Sequence, residues 1–178
     1  MKAILTLHNF VLDSISGMLE PWLLPTLARF TFAATLLTYF WASAALKLGD
    51  GWFDLSFGAY GQIFPAAFEA AGYDPAGLTL FHKVVVYAGT YAEFILPAML
   101  LIGLFTRLAA VGMIGFTFVQ SFVDIYGHMA EDSTIGAWFD RIADSQILDQ
   151  RLFWITIFLV LFTRGAGPLS IDRLIGVK

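Results

Sequence analysis

Charged side chains interrupt segments of this sequence that are otherwise apolar enough to lie in a membrane. Glu93 lies in the stretch "TYAEFILPAMLLIGLFTR", residues 90–107, and Pro97 follows it by four positions. A carboxylate near the centre of a bilayer costs roughly 2.5–3.5 kcal/mol on insertion scales, so it is expected to face protein or water and to be paired or protonated. Because proline has no N–H, the Glu93 carbonyl loses its intrahelical partner, and we expect a kink that leaves a polar notch beside the carboxylate.

Arg29 and Lys47 are the two cations of the preceding apolar segment. Their positions differ by 18 residues, about five turns at 3.6 residues per turn, so both side chains project from one helix face. We therefore expect Glu93, Arg29 and Lys47 to form a catalytic core. In the alternative interpretation each cation extends to its own membrane interface, and Glu93 is a structural residue paired with a neighbouring helix, with Arg29 as one candidate partner.

A polar stripe marks the outer end of the third apolar segment. Its members are spaced by three and four residues, and they are Thr117, Gln120, Asp124 and His128. His82 begins the second segment on the same side, and Lys47 ends the first there. We interpret this cluster as a hydrogen-bonded interfacial network or as the headgroup end of a ligand pocket. Two histidines and a carboxylate are compatible with a metal, but no Glu-x-x-His pair is present, so we predict no metal site.

The composition indicates an integral membrane protein and excludes several classes of function. Hydrophobic residues make up 58% of the 178 residues and charged residues only 13%, and the mean hydropathy is +0.75, far more apolar than a soluble domain. The sequence has no cysteine, which excludes disulfides, thiolate metal sites and thiol redox relays. A net charge of -4 offers no basic surface to nucleic acid.

Four segments have the length and hydropathy of membrane-spanning helices, at residues 25–48, 81–104, 106–128 and 150–166. Residues 1–24 carry polar side chains every three or four positions opposite apolar ones, which predicts an amphipathic helix on the membrane surface that ends before Pro21. The loop at 49–80 is predicted to contain one or two short interfacial helices. The expected fold is an all-α integral membrane four-helix bundle, residues 25–178, preceded by this interfacial helix.

Basic residues near the predicted membrane ends favour a topology with both termini inside. In that orientation six lysines and arginines face the inside, namely Lys2, Arg29, Arg107, Arg164, Arg173 and Lys178, against four outside, namely Lys47, Lys83, Arg141 and Arg151. The outer loop at 129–149 is acidic. We expect this loop to contact other protein subunits on the outer face, and we expect the membrane to be a bacterial inner membrane with cytoplasmic termini.

Three short motifs follow one another in a recognisable order. Arg29 and Lys47 lie in the first span, Glu93 in the second is followed by "GLFTRLAA" at 103–110, and "GAGPLSIDRL" stands at 165–174. This pattern resembles the DoxX family of small four-helix membrane proteins, which includes DoxD, a subunit of an archaeal thiosulfate:quinone oxidoreductase. The resemblance covers residues 25–178 and implies a quinone-linked or redox-associated membrane subunit, with or without an activity of its own.

A quinone would suit a cleft between the first three helices, with Glu93 as proton acceptor. We expect aromatic rings to line it, namely Phe40, Trp41, Tyr87 and Tyr91. The residues predicted to contact the cofactor are His82, Tyr91, Asp124, His128, Arg107 and Asp172. Arg107 and Asp172 also have a structural interpretation. In it, Gly165, Gly167 and Pro168 end the fourth helix and Ser170 caps a short turn, while Asp172 bonds backbone amides or Arg107.

Two other classes of function remain as alternatives. In the first, the chain is a non-catalytic scaffold whose surface helix and acidic outer loop bind a larger complex. In the second it is a small transporter or channel. The intramembrane charges would suit a transporter, but the sequence shows neither an inverted repeat nor a pair of broken helices.

Overall fold

The computed structural model describes residues 1 to 177; Lys178, which the charge count places on the inner side, lies outside the described residues. Within this range the protein is all-α, and its only β pairing is a single bridge between Leu48 and Leu55. The α-helices are α1 (Lys2–Leu19), α2 (Leu23–Thr35), α3 (Leu37–Leu46), α4 (Phe57–Ile63), α5 (Pro65–Ala70), α6 (Leu80–Ile102), α7 (Thr106–Phe122), α8 (Asp132–Ile135), α9 (Leu148–Arg164) and α10 (Ile171–Ile175). A 3₁₀ turn at Pro75–Gly77 precedes α6, and a π-helical turn at Val123–Gly127 extends α7.

Two helices are long and apolar enough to cross a membrane. They are α6, with 23 residues, and α7 with its π turn, with 22 residues over Thr106–Gly127. The pair α2 and α3 qualifies as a third span if the two are counted together. The remaining predicted span, α9, has 17 residues and is not among them. The predicted count of four spans therefore stays a prediction, whereas the all-α fold is confirmed.

The first apolar segment is bent, which the sequence did not predict. α2 and α3 meet at Leu36 at an angle of 41°. Just before the bend, the Thr35 hydroxyl donates to the Thr31 carbonyl at 2.7 Å. A hydroxyl that bonds the carbonyl four residues earlier competes with the backbone N–H for that acceptor and bends a helix. The hydrogen bonds of Leu36 itself are kept on both sides, so the segment bends without unwinding.

The helices α2, α3, α6, α7 and α9 pack around one apolar core. Its fully buried members include Phe32, Phe40, Leu100, Met113 and Phe158, and the rings of Phe32 and Phe158 lie 5.9 Å apart. The outward faces of α6 and α7 are apolar too, as expected of surfaces in contact with acyl chains. A second cluster joins α4 and α5 to α6 through Tyr60, Phe68 and Val86. The predicted short helices of the 49–80 loop are confirmed.

The N-terminal helix ends at Leu19, as the position of Pro21 predicts. Ile4, Leu7 and Phe10 are largely exposed in the protein by itself. Glu20 forms an ion pair with Arg164 at the end of α9, so the end of α1 is tied to the bundle. That the apolar face of α1 lies on a membrane surface stays a prediction.

The turn between α6 and α7 begins at Gly103 and is held by Arg29, from the N-terminal part of the sequence, and Asp172, from the C-terminal part. We call these three residues the α6–α7 clamp. Gly103 ends α6 in the left-handed conformation, with φ of 68°. The guanidinium of Arg29 donates to the carbonyl of Leu100 at 3.1 Å and also to that of Leu101. Carbonyls of the last turn of a helix lack the regular i+4 donor, and a cation also suits the negative end of the helix dipole.

The opposite side of the clamp is the start of α7. The Asp172 carboxylate accepts from the backbone N–H groups of Phe105 at 2.6 Å and Thr106 at 2.9 Å. Ser170 caps α10 by accepting from the N–H of Arg173 at 3.2 Å. Gly165 and Gly167 both have positive φ. The structural alternative for the C-terminal motif is therefore confirmed, because Asp172 bonds backbone amides and stabilises the start of a helix.

We expect Gly103→Ala to lower the stability of the protein by roughly 1–3 kcal/mol, the cost of holding a non-glycine residue in a sparsely populated region. An added Cβ would also lie 2.6 Å from the Cβ of Ser170 and 3.1 Å from the Cζ of Arg29. Thermal unfolding of the purified protein in detergent measures the effect. Gly115→Ala is the matched control, since Gly115 lies within α7 with nothing within 4 Å of its Cβ position, and it should leave the unfolding temperature unchanged or slightly higher. Equal effects of the two substitutions would contradict the role of the clamp.

Candidate functional site

A buried ion pair joins α3 to α6. The Lys47 Nζ lies 2.6 Å from Glu93 Oε2, and each side chain is only 5% exposed. Ser43, one turn before Lys47, accepts from Lys47 Nζ at 2.8 Å and donates to Glu93 Oε1 at 3.4 Å. Lys47 also follows the last residue of α3, where the negative end of the helix dipole favours a cation. Each charge therefore has an opposite charge and a hydroxyl as partners, which allows it to remain in an apolar interior.

α6 continues through Pro97 as one helix. Near the carbonyl that Pro97 leaves without its usual donor, the indole N–H of Trp41 donates to the Phe94 carbonyl at 3.2 Å. This carbonyl is the one after that of Glu93, so the bond ties α3 to α6 beside the proline without replacing the donor that Pro97 lacks. Trp41 therefore serves as a contact between α3 and α6, and not as part of a ligand pocket.

The ion pair opens onto a cavity of about 710 Å³. Its walls come from α3, α6 and α7 and from the start of α9. Ala130 and Gln146, from the loop that joins α7 to α9, lie at its edge. Small residues create the space, namely Gly89 and Ala92 of α6 and Gly112 of α7, while Leu96 and Phe116 supply apolar surface. The volume falls within the range of small-molecule sites in proteins.

A second ion pair lines the same cavity. Arg151, in the first turn of α9, contacts Asp124 of the π turn and donates to the Ser121 hydroxyl at 2.9 Å. Arg151 is only 6% exposed, and its guanidinium carbon lies 5.9 Å from the centre of the Trp154 ring. The π turn places Asp124 toward α9, and such turns are frequent at functional sites.

Two further polar contacts complete this part of the cavity. The Gln120 amide nitrogen donates to the Tyr39 hydroxyl at 2.7 Å. His128 Nε2 lies 2.9 Å from the Gln62 carbonyl, which ties the π turn to α4. Tyr39, Gln120 and His128 all line the cavity. Three members of the polar stripe predicted on the third segment, Gln120, Asp124 and His128, thus form one wall of the cavity, whereas Thr117 is buried and donates to the Met113 carbonyl.

Two polar atoms around this cavity have no hydrogen-bond partner among residues 1 to 177. They are the acceptor Gln120 Oε1 and the donor Arg151 Nε, both buried. An unsatisfied buried polar atom costs roughly 1–3 kcal/mol, and native structures contain few of them. One acceptor and one donor in the wall of the same cavity indicate a position where a ligand or water completes the hydrogen bonding.

The structure brings together four of the predicted site residues: Lys47, Glu93, Asp124 and His128 all line the cavity. Arg29 does not join them, because its guanidinium is bonded to the backbone of the α6–α7 clamp. α2 runs antiparallel to α6, so the first turns of α2 lie beside the last turn of α6 and not beside its middle. The expected Arg29–Glu93 partnership is therefore wrong.

Six residues predicted to contact the ligand lie elsewhere. Arg107 and Asp172 line a different cavity, at the clamp. His82 bonds the Thr79 hydroxyl at 2.9 Å and packs its ring 4.7 Å from that of Phe64. Tyr87 and Tyr91 donate to the carbonyls of Phe53 and Trp52, and so fix the loop after α3. Phe40 is fully buried in the core. The aromatic residues of the cavity are instead Tyr39 and Phe116.

Arg151 is a charged residue of the cavity that the sequence did not predict. It was counted only as a cation at the outer end of the fourth segment. Asp124 was the signal that could have identified it, since a carboxylate within an apolar segment needs a cation. Arg151 lies at the start of the fourth apolar segment, for which the sequence analysis proposed no polar contact. In the described part of the chain, no group of three or more His, Asp or Glu side chains is arranged to hold a metal ion.

The sequence pattern of the DoxX family matches residues 24–123, more than half of the chain. The chain belongs to the DoxX family. With its apolar helices, it is a DoxX-family integral membrane protein. The match covers the Lys47–Glu93 pair, Arg29 and the α6–α7 turn, and it ends directly before Asp124, so Arg151 and the C-terminal motif lie outside it. No curated protein and no solved structure matched the chain.

We expect removal of one partner of the Lys47–Glu93 pair to be more damaging than removal of both. Lys47→Met or Glu93→Leu leaves an unpaired buried charge and should cost about 3–5 kcal/mol of stability, whereas the double variant should recover most of that loss. Thermal unfolding of the four proteins in detergent gives the coupling between the two positions. The exposed Lys2→Met substitution is the control and should leave stability unchanged. Additive losses in the double variant would contradict a coupled buried pair.

Proposed function

We propose that the protein is a membrane subunit of a quinone-linked oxidoreductase and that a quinone binds in the cavity beside the Lys47–Glu93 pair. The observation that carries this proposal is the position of the ion pair. Both charges are buried, yet both line a cavity large enough for a substituted ring. Sites that exchange protons within a membrane typically contain paired ionisable residues that face a cavity.

The residues of the cavity fit a quinone headgroup. Leu96 and Phe116 offer apolar surface to a ring. The two unpartnered atoms, Gln120 Oε1 and Arg151 Nε, offer one acceptor and one donor, which suits a ligand whose oxygens accept hydrogen bonds when oxidised and donate them when reduced. A bound quinone would supply two-electron chemistry with uptake of two protons at its oxygens.

The protein's own residues would handle charge and protons. Glu93 is the candidate proton donor and acceptor, since it is the cavity carboxylate that is paired with a lysine and not with an arginine. Lys47 would keep Glu93 in place and compensate its charge. Arg151 would present a fixed positive charge, because a guanidinium does not lose its proton in proteins. Asp124 orients this guanidinium, so its role is positioning.

The electron donor would belong to a partner subunit, since a chain without cysteine has no thiol relay or thiolate cluster of its own. We place this partner on the outer face, where the acidic loop 129–149 borders the cavity through Ala130, Thr134 and Gln146. In this topology both termini are cytoplasmic and the membrane is a bacterial inner membrane. The second candidate function is a non-catalytic scaffold. In that role the exposed helix α1 would bind the larger complex.

Filling the cavity should abolish quinone binding while sparing the fold. Ala92 of α6 lines the cavity beside Glu93, and Ala92→Phe would place a ring where the ligand is proposed to lie. We expect the purified variant to bind a short-chain benzoquinone at least tenfold more weakly than the wild type, measured by titration in detergent. The matched control is Ala45→Phe, on the exposed face of α3, which should bind as the wild type does.

Mass spectrometry of the gently solubilised wild-type protein separates the two functions. A quinone-linked subunit should retain quinone, and the Ala92→Phe variant should not. Quinone affinity that is equal in Ala92→Phe and in the wild type would show that this cavity is not the site. A wild-type protein that carries partner polypeptides but no quinone would establish the scaffold instead.

A further inference from the structure

A second cavity, of about 540 Å³, lies at the opposite end of the bundle from the loop 129–149. It is formed by the start of α7, the end of α9, and the segment around α10. Three arginines line it, namely Arg107, Arg164 and Arg173. Each comes from a different element, so the convergence of the three side chains is a product of the tertiary fold and not of one basic stretch of sequence.

The charge of this cavity is positive after its internal pairs are counted. Arg164 is paired with Glu20. The Asp172 carboxylate is occupied by the two N–H groups that begin α7. Within residues 1 to 177, Arg107 and Arg173 form no ion pair. Two exposed guanidinium groups therefore face a shared space, and planar guanidinium groups bind phosphate oxygens well.

An independent observation points to a ligand in the same place. Thr106 lines this cavity and is fully buried, and its hydroxyl has no hydrogen-bond partner among the described residues. The other buried threonines on α6 and α7, Thr90 and Thr117, donate to carbonyls one turn earlier. Thr106 is the first residue of α7 and has no such carbonyl within its helix. A hydroxyl left free beside two cations suits an anionic oxygen.

The rim of the cavity is apolar and continues onto the outer surface of α7. Phe105 and Leu108 line the cavity and are 48% and 68% exposed. From Leu108 the same face of α7 carries exposed apolar side chains at helical spacing, namely Val111, Phe118 and Phe122. A free phosphate would gain nothing from such a surface, whereas the acyl chains of a phospholipid would lie along it.

We propose that this cavity binds the phosphate of an anionic phospholipid, held by Arg107 and Arg173 with the Thr106 hydroxyl, while an acyl chain follows the exposed face of α7. Basic pockets at the ends of membrane helices bind such headgroups through the same combination of charge and adjacent hydrocarbon. The site is separate from the Lys47–Glu93 cavity, and its existence does not depend on quinone binding.

Native mass spectrometry of the full chain, titrated with phosphatidylglycerol or phosphatidylcholine in detergent, tests this site. We expect Arg107→Gln/Arg173→Gln to weaken phosphatidylglycerol binding by about ten- to thirty-fold, given the usual contribution of a basic residue to anionic lipid binding. Phosphatidylcholine binding should change little. The double variant Lys2→Gln/Arg141→Gln removes the same number of exposed charges elsewhere and should keep wild-type binding. Equal losses in both double variants would overturn the site.

Thr106→Val supplies a second, charge-neutral variant. If the hydroxyl serves the lipid, phosphatidylglycerol binding should fall severalfold while the unfolding temperature in lipid-free detergent is unchanged or raised, because an unsatisfied buried hydroxyl has been removed. Unchanged binding in this variant would contradict the assignment of Thr106. Inorganic phosphate at millimolar concentration should not displace the lipid; displacement, with phosphate bound in its place, would show a free anion as the ligand and overturn the lipid assignment.

Discussion

The structure depends on one constraint, that two opposite charges buried in an apolar interior must stay together. Lys47 and Glu93 lie 2.6 Å apart with almost no exposure, and neither could remain there alone without a large desolvation cost. Because the pair joins the end of α3 to the middle of α6, it also fixes how these two helices face each other. The cavity beside it follows from that arrangement, since small residues of α6 and α7 line the space next to the charges.

The same constraint explains the rest of the polar interior. Arg151 forms an ion pair with Asp124 and donates to the Ser121 hydroxyl. Arg29 donates to carbonyls at the end of α6, and Asp172 accepts from the amides at the start of α7. Against this background of satisfied groups, the free atoms of Gln120, Arg151 and Thr106 stand out. All three residues line cavities. Among residues 1 to 177 the buried polar side chains are thus paired with few exceptions, and each exception belongs to a residue that lines a cavity.

The sequence predicted the elements better than their partners. Hydropathy located α6, α7 and α9 to within a few residues, because length and apolar composition in a membrane determine a helix directly. Backbone amides were one predicted partner of Asp172, alongside a cofactor and Arg107, but the sequence did not show that these amides are those of Phe105 and Thr106 at the start of α7. The bend at Leu36 did not follow from the sequence, since no proline or glycine marks it there. Helical spacing placed Arg29 and Lys47 on one face of the first segment. It did not show which turn of α6 each side chain would contact. Arg151 was missed for the same reason, because its partner lies on another element.

The α6–α7 clamp has a consequence for the order in which the chain assembles. Phe105 and Thr106 are synthesised well before Asp172, which accepts their N–H groups. The hairpin of α6 and α7 must therefore enter the membrane with its turn unsecured, and water at the interface serves those amides in the meantime. The carboxylate arrives only after α9 has been made. The bond between these early and late parts of the polypeptide is therefore one of the last contacts of the bundle to form.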